Sequence, residues 1–213
     1  MLVVRSPKSG SQELEFVSAA VARGELVIVP TDTVYGIAAS AADADAVTRL
    51  YAAKGRDGVQ PTAVVFASIP QLREHMPNLS RRAAWAASAL LPGPWTLIVR
   101  NPDEVFPWLT GGQPGPLGIR VPAGALDLPP IAASSANRAG LETPSTVEAL
   151  DPELLAHVAC VIDAGPRTGG LASTILDLTD WEAGSGDVRV IRDERGLAGQ
   201  ALAALAAAPS PTD

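Results

Sequence analysis

Short apolar runs that read as buried strands alternate with helix-period segments along this sequence, and that alternation limits the fold more than any single residue does. Residues 11–23 place Leu14, Val17 and Val21 on one helical face before the stop signal Gly24. Residues 26–29 form an apolar run ending at Pro30, the pattern of a buried strand. Asp43 is placed to cap a second helix, with Val47, Leu50 and Tyr51 on its apolar side, that runs into Lys54. Residues 62–67 read as a strand, 68–70 as a helix start and 80–91 as a helix stopped by Pro92-Gly93-Pro94. Further strands are expected at 95–100, 118–121, 131–134, 161–164, 173–178 and 188–192, and an Ala-rich helix at 197–208. Such interleaving predicts a mixed α/β sheet with helices packed on it.

The 213 residues suit one domain, expected over 1–208, with 209–213 as a disordered tail. Neither a repeat nor a dividing linker is present. Cys160 is the only cysteine, which excludes an internal disulfide and a multi-thiolate zinc site. There is no apolar run long enough for a membrane span and no secretory-signal pattern at the N-terminus. The cytoplasm is the expected location. The net charge of −7 argues against a surface built to neutralise many phosphates, while a small cationic pocket remains compatible with it.

Four segments carry chemistry-bearing side chains. Pro30-Thr31-Asp32-Thr33-Val34-Tyr35-Gly36 follows a strand; its hydroxyls suit a small polar ligand, or equally a turn that satisfies its own backbone. Lys54-Gly55-Arg56 ends a helix; the two cations can grip one anion or simply face the helix dipole. Ser134-Ser135-Ala136-Asn137-Arg138-Ala139-Gly140 can cradle phosphate oxygens or cap itself. Ser173-Thr174-Ile175-Leu176-Asp177-Leu178 sets hydroxyls at a strand's start. The sequence contains neither GxGxxG after the first strand nor GxxxxGK[ST]. His75, His157 and Cys160 sit in no metal or triad pattern and are expected to be structural.

The ordered series PTDTVYG, KGR, PGPWTLIV, GIRVP, SSANRAG and STILDL resembles the YrdC/Sua5 (TsaC) family of threonylcarbamoyl-AMP synthases over residues 25–192, in its short form without an additional C-terminal domain. The resemblance implies a single-domain twisted mixed sheet with a large concave cleft. It implies a nucleotidyltransferase that joins L-threonine, bicarbonate or carbon dioxide, and ATP into threonylcarbamoyl-AMP and pyrophosphate. The product would serve threonylcarbamoyladenosine (t6A) formation in tRNA through a t6A-transferase complex. By motif position Lys54 and Arg56 match the catalytic KxR cations on the triphosphate, and Ser135 and Asn137 the SxN pair on nucleotide phosphate or ribose. Thr143 adds a nucleotide contact, and Arg192 matches a late arginine that reaches ATP. Thr31, Arg120 and Ser173 fit the threonine side, with Arg120 on the amino-acid carboxylate. Mg²⁺ is expected on ATP phosphates and water, with no protein ligand assigned.

This chain departs from the family pattern at four places. Asp57 follows KxR where the family often has Pro. The His-Pro pair and helix that usually follow the GIRVP arginine are missing, so residues 121–134 are short by roughly two helical turns. The SANxSG loop reads SANRAG, and the final RPG reads Arg192-Asp193-Glu194. Weak contact with tRNA or other RNA is expected of the synthase; two other functions fit the same fold, a non-catalytic RNA-binding or ribosome-maturation protein and a carbamoyltransferase-like enzyme.

Overall fold

Helices begin where the sequence supplies a side-chain acceptor for their first amides. The computed structural model describes residues 2–55, 61–111, 113–167 and 171–210. Ser11 Oγ accepts from Leu14 N at 3.3 Å to start α1 (Gln12–Ala22), and Asp43 Oδ1 accepts from Ala46 N at 3.0 Å to start α2 (Ala44–Ala53). Ser68 and Ser80 do the same for α3 (Ile69–His75) and α4 (Arg81–Leu90). The chain adds α5 (Pro152–Leu155), α6 (Thr179–Glu182) and α7 (Ala198–Leu205). Among the described residues no helix is long and apolar enough to cross a membrane.

Among the described residues ten strands form one sheet: β1 (Leu2–Arg5), β2 (Leu26–Pro30), β3 (Tyr35–Ser40), β4 (Ala63–Val65), β5 (Trp95–Val99), β6 (Leu117–Arg120), β7 (Ile131–Ser135), β8 (Val158–Asp163), β9 (Thr174–Asp177) and β10 (Arg189–Arg192). Their order is β1-β8-β2-β3-β7-β4-β6-β5-β9-β10. Pairing is mixed: β1 and β2 run parallel to β8, β4 to β6 and β5 to β9, and the remaining ladders are antiparallel. The expected mixed α/β sheet is the one observed.

Side chains alternate across a strand, and here the alternation separates the core from the cleft. On one face Leu97, Ile119 and Leu176 have no solvent exposure and join the main core with Leu50, Leu90 and Leu205 of α2, α4 and α7. Burying each such side chain contributes about 1.5–3 kcal/mol. The opposite face is covered at its β1-β8-β2-β3 end by α1 and Leu128, through Val17, Val21, Val27, Cys160 and Ile162. Beyond that cover it lies open. Burial among these residues pushes the Cys160 thiol up to about 11, as expected for a packing cysteine.

Two strands, β1 and β3, were not expected from the sequence, nor were the four-residue helices α5 and α6. Strand β8 begins at Val158 rather than near residue 161. No helix replaces the shortened stretch after Arg120: residues 121–130 turn across the sheet, with Leu128 buried in the α1 cluster and Ala123 N donating to Asp32 Oδ2 at 3.0 Å.

Candidate active site

The open sheet face carries a cavity of about 380 Å³. Alternate residues of six strands build it: Gly36 of β3, Ser135 of β7, Val65 of β4, Gly118 and Arg120 of β6, Thr96 of β5 and Asp177 of β9. Small residues make the floor possible. A Cβ on Gly118 would lie 3.3 Å from Ala63 Cα, so the close approach of β6 to β4 requires glycine there.

Thr31, Ser135, Arg120, Ser173 and Arg192, which the motifs single out, all line this one cavity. Thr31 Oγ1 closes its own turn, donating to Val34 O at 2.7 Å and accepting from Thr33 N and Val34 N at 3.2 and 3.1 Å. The self-satisfied turn and the cavity wall are thus the same residues. Arg120 is 8% exposed; its Nη2 donates to Asp32 Oδ1 and to Thr33 Oγ1, the latter at 2.7 Å. Burial lowers its pKa, with Asp32 acting in the opposite sense and Arg195 and Arg192 in the same sense. A guanidinium nonetheless stays protonated at any physiological pH. Arg120 Nε is buried without a hydrogen-bond partner among the described residues, an unmet donor on a residue of the cavity wall.

Ser173 is 4% exposed and shares a 2.8 Å hydroxyl contact with Thr96. Arg192 donates through Nε to Ser173 O at 3.0 Å and through Nη2 to Ser173 Oγ at 3.2 Å. Burial lowers the Arg192 pKa and the Glu194 charge opposes that shift.

Lys54 lies at the C-terminus of α2 with no solvent exposure. Its Nζ donates to the carbonyl oxygens of Ser135 and Asn137, the latter at 2.6 Å, and Ala139 N donates back to Lys54 O at 2.9 Å. The KxR and SxN segments therefore meet, with the lysine holding the turn by its backbone. Asn137 Nδ2 donates to Leu141 O at 2.7 Å, while its Oδ1 is buried without a partner among the described residues. Lys54 and Asn137 stand beside the cavity through Ser135. Thr143 lies in the irregular segment after Gly140 and is not part of the wall. Arg56 lies outside the described residues.

Sequence reading missed Arg167 and Asp177. Arg167 reaches Thr31 O at 3.3 Å and stands 5.7 Å above the Tyr35 ring, while its amide donates to Ser145 O at 2.7 Å. It ties the loop after Asn137 to the Thr31 turn. Its guanidinium also donates to the nearby carbonyls of Ala164 and Gly165, but nothing local signals the tie, because Thr31, Tyr35 and Ser145 are all more than twenty residues away. Asp177 is the one carboxylate among the described residues of the cavity wall. Burial would raise its pKa, but hydrogen bonds from Thr179 and the Arg189 ion pair outweigh that and hold it below the ordinary value. Among the described residues no group of three or more His, Cys, Asp or Glu is placed to hold a metal ion.

Fold and site together define an α/β protein whose mixed sheet carries, on its open face, a cavity lined by two arginines and several hydroxyls. The chain belongs to the Sua5/YciO/YrdC family, whose model, described as "Telomere recombination", matches residues 19–193. A Pyrococcus abyssi relative named threonylcarbamoyl-AMP synthase is 36% identical over 165 residues, 74% of this chain and 48% of its own length. A Mycobacterium tuberculosis relative is 36% identical over 185 residues, 81% of this chain and 82% of its own. The crystal structure of P. abyssi Sua5 complexed with L-threonine superposes with a TM-score of 0.74 at 33% identity, covering 83% of this chain and 54% of that one. The chain thus spans about half the length of the archaeal relative.

Proposed function

We propose that this cleft forms threonylcarbamoyl-AMP and pyrophosphate from L-threonine, bicarbonate or carbon dioxide, and ATP, as a nucleotidyltransferase. One observation carries the reading: Arg120, with its unpartnered Nε, shares a single cavity with Ser173, Arg192 and Ser135, in a family whose P. abyssi member is crystallised with L-threonine.

Arg120 takes the threonine carboxylate, with Thr31 and Ser173 shaping the amino-acid side. The threonine amine adds to carbon dioxide, loses a proton and becomes a carbamate. A carbamate oxygen then attacks the α-phosphorus of ATP, and the bond to the β-phosphate oxygen breaks, releasing pyrophosphate. Because the nucleophile comes from the substrate, the chain needs no Ser-His or Cys-His pair. Its task is alignment and charge stabilisation, and alignment alone can supply roughly 7–11 kcal/mol. Ser135 and Asn137, braced by Lys54, hold nucleotide oxygens, Arg56 and Arg192 face the phosphates, and Thr143 adds a nucleotide contact.

Mg²⁺ enters with ATP. The wall's one described carboxylate, Asp177, is already engaged by Thr179 and Arg189, so the ion would be held by phosphate oxygens and water and would supply charge stabilisation there. Handing the product to a t6A-transferase complex, weak contact with tRNA and a cytoplasmic location belong to the same proposal. The test mixes the protein with ATP, Mg²⁺, bicarbonate and L-threonine. Pyrophosphate release is expected only when all are present; release indifferent to threonine and bicarbonate rules the reaction out.

A further inference from the structure

Arg192 and Arg195 grip one short run of backbone at the cavity rim. Arg195 Nη2 donates to Leu171 O at 2.7 Å, Arg195 Nε to Ala172 O at 3.0 Å, and Arg192 Nε to Ser173 O at 3.0 Å. Three successive carbonyls thereby engage both guanidiniums; Ala172, Ser173 and Arg192 line the cavity, and Arg195 lies behind them, tied to Ala172.

The local sequence explains the arrangement. Where the family pattern runs RPG, this chain has Arg192-Asp193-Glu194-Arg195-Gly196. Asp193 accepts from the Thr174 hydroxyl at 2.9 Å and from the amides of Leu197 and Ala198 at 2.8 and 3.1 Å, capping α7. Gly196, at φ +69°, completes the turn. Its course carries residue 195 back against residues 171 and 172.

Among the described residues neither arginine has an ion-pair partner. The neighbouring carboxylates form no ion pair with them: Asp193 is engaged by α7, and the exposed Glu194 acts on Arg192 only through its charge. Both charges act on Arg120 in the sense that lowers its pKa, so like charge gathers at this end of the cleft and repels. Carbonyl dipoles offset part of that repulsion, and a ligand with several anionic oxygens offsets more.

We propose that Arg195 is a second phosphate-binding cation of the cleft, and that with Arg192 it receives the polyphosphate of the nucleotide. This rests on the reading that the cleft binds ATP, and it adds a residue outside the motif series.

Calorimetric titration of wild type, Arg195→Gln and Arg195→Lys with Mg·ATP, inorganic tripolyphosphate and L-threonine tests it. Arg195→Gln is expected to weaken ATP and tripolyphosphate roughly ten-fold, the loss of one charge-assisted contact, and to leave L-threonine affinity unchanged. Arg195→Lys, which keeps the charge and loses the fork on the two carbonyls, should recover most of the loss. Unchanged ATP and tripolyphosphate affinity in Arg195→Gln overturns the assignment. So does a Lys variant as weak as the Gln variant, or a parallel loss of threonine affinity, since either makes Arg195 a clamp on residues 171–172 alone. A wild type that binds tripolyphosphate through Arg195 and does not bind ATP removes the nucleotide reading while leaving the anion seat in place.

Discussion

The two ends of the cleft handle positive charge in opposite ways. At the β3–β7 end the lysine is fully buried and turned onto the carbonyls of Ser135 and Asn137. At the β6–β9 end three arginines gather at the wall or rim, and among the described residues only Arg120 has a carboxylate partner. One end is a braced frame that offers hydroxyl, amide and backbone groups. The other is a charged seat whose donors outnumber its acceptors. A cation in a motif can therefore act by shaping a loop as well as by touching a ligand.

The largest expected effect comes from removing Arg120. Arg120→Ala leaves the partly buried Asp32 with only the Ala123 amide as a donor among the described residues, a loss of about 1–3 kcal/mol of stability, and should abolish threonine-dependent pyrophosphate release. Thermal unfolding together with the release assay checks both; full threonine dependence in a folded variant would move the carboxylate seat elsewhere. Next comes Lys54→Met, which takes the lysine donor from two partly buried carbonyls and should cost about 1–3 kcal/mol in denaturant unfolding. It should also weaken ATP while sparing L-threonine. Equal losses for both ligands would erase the distinction between the ends.

A smaller effect is expected from Gly118→Ala on the floor between them. Its Cβ would press on Ala63, and overpacking of this kind costs about 1–3 kcal/mol. Both ligands should weaken together, as competition calorimetry would show. The smallest change concerns Asp177 at the arginine end. Its folded pKa lies below the ordinary carboxylate value, so its stabilising effect is complete above the unfolded pKa and is lost as pH falls through the folded one. Asp177→Asn should therefore be less stable than wild type by about 1 kcal/mol at neutral pH, with the gap closing only below pH 3.8. A gap independent of pH would mean that the charge plays no part.

The sequence makes the caps legible because they are local: Ser11, Asp43 and Ser80 each act within three residues. Strand β3 starts with the last two residues of the PTDTVYG motif and was hidden because its small residues, buried between β2 and β7, show no alternation. Strand β1 is short and leaves Leu2 and Val3 exposed. The meeting of Lys54 with Ser135 spans 81 positions, so only the motif series indicated it. Arg167 and Arg195 belong to no motif, and their partners are supplied by folding alone. The shortened stretch after Arg120 raised the question of whether Arg120 and Ser135 share a site. They do, because β4 lies between β6 and β7 and fixes their spacing without any helix.

That placement gives β4 a mechanical role. It has three residues, joined to β6 by two register pairs and to β7 by three, and the sheet's two halves meet only through it. A molecule touching both Ser135 and Arg192 would act as a strap across this narrowest seam. Amide exchange at Val64 and Val65 should then slow when both substrates are bound, reporting occupancy from the back of the sheet.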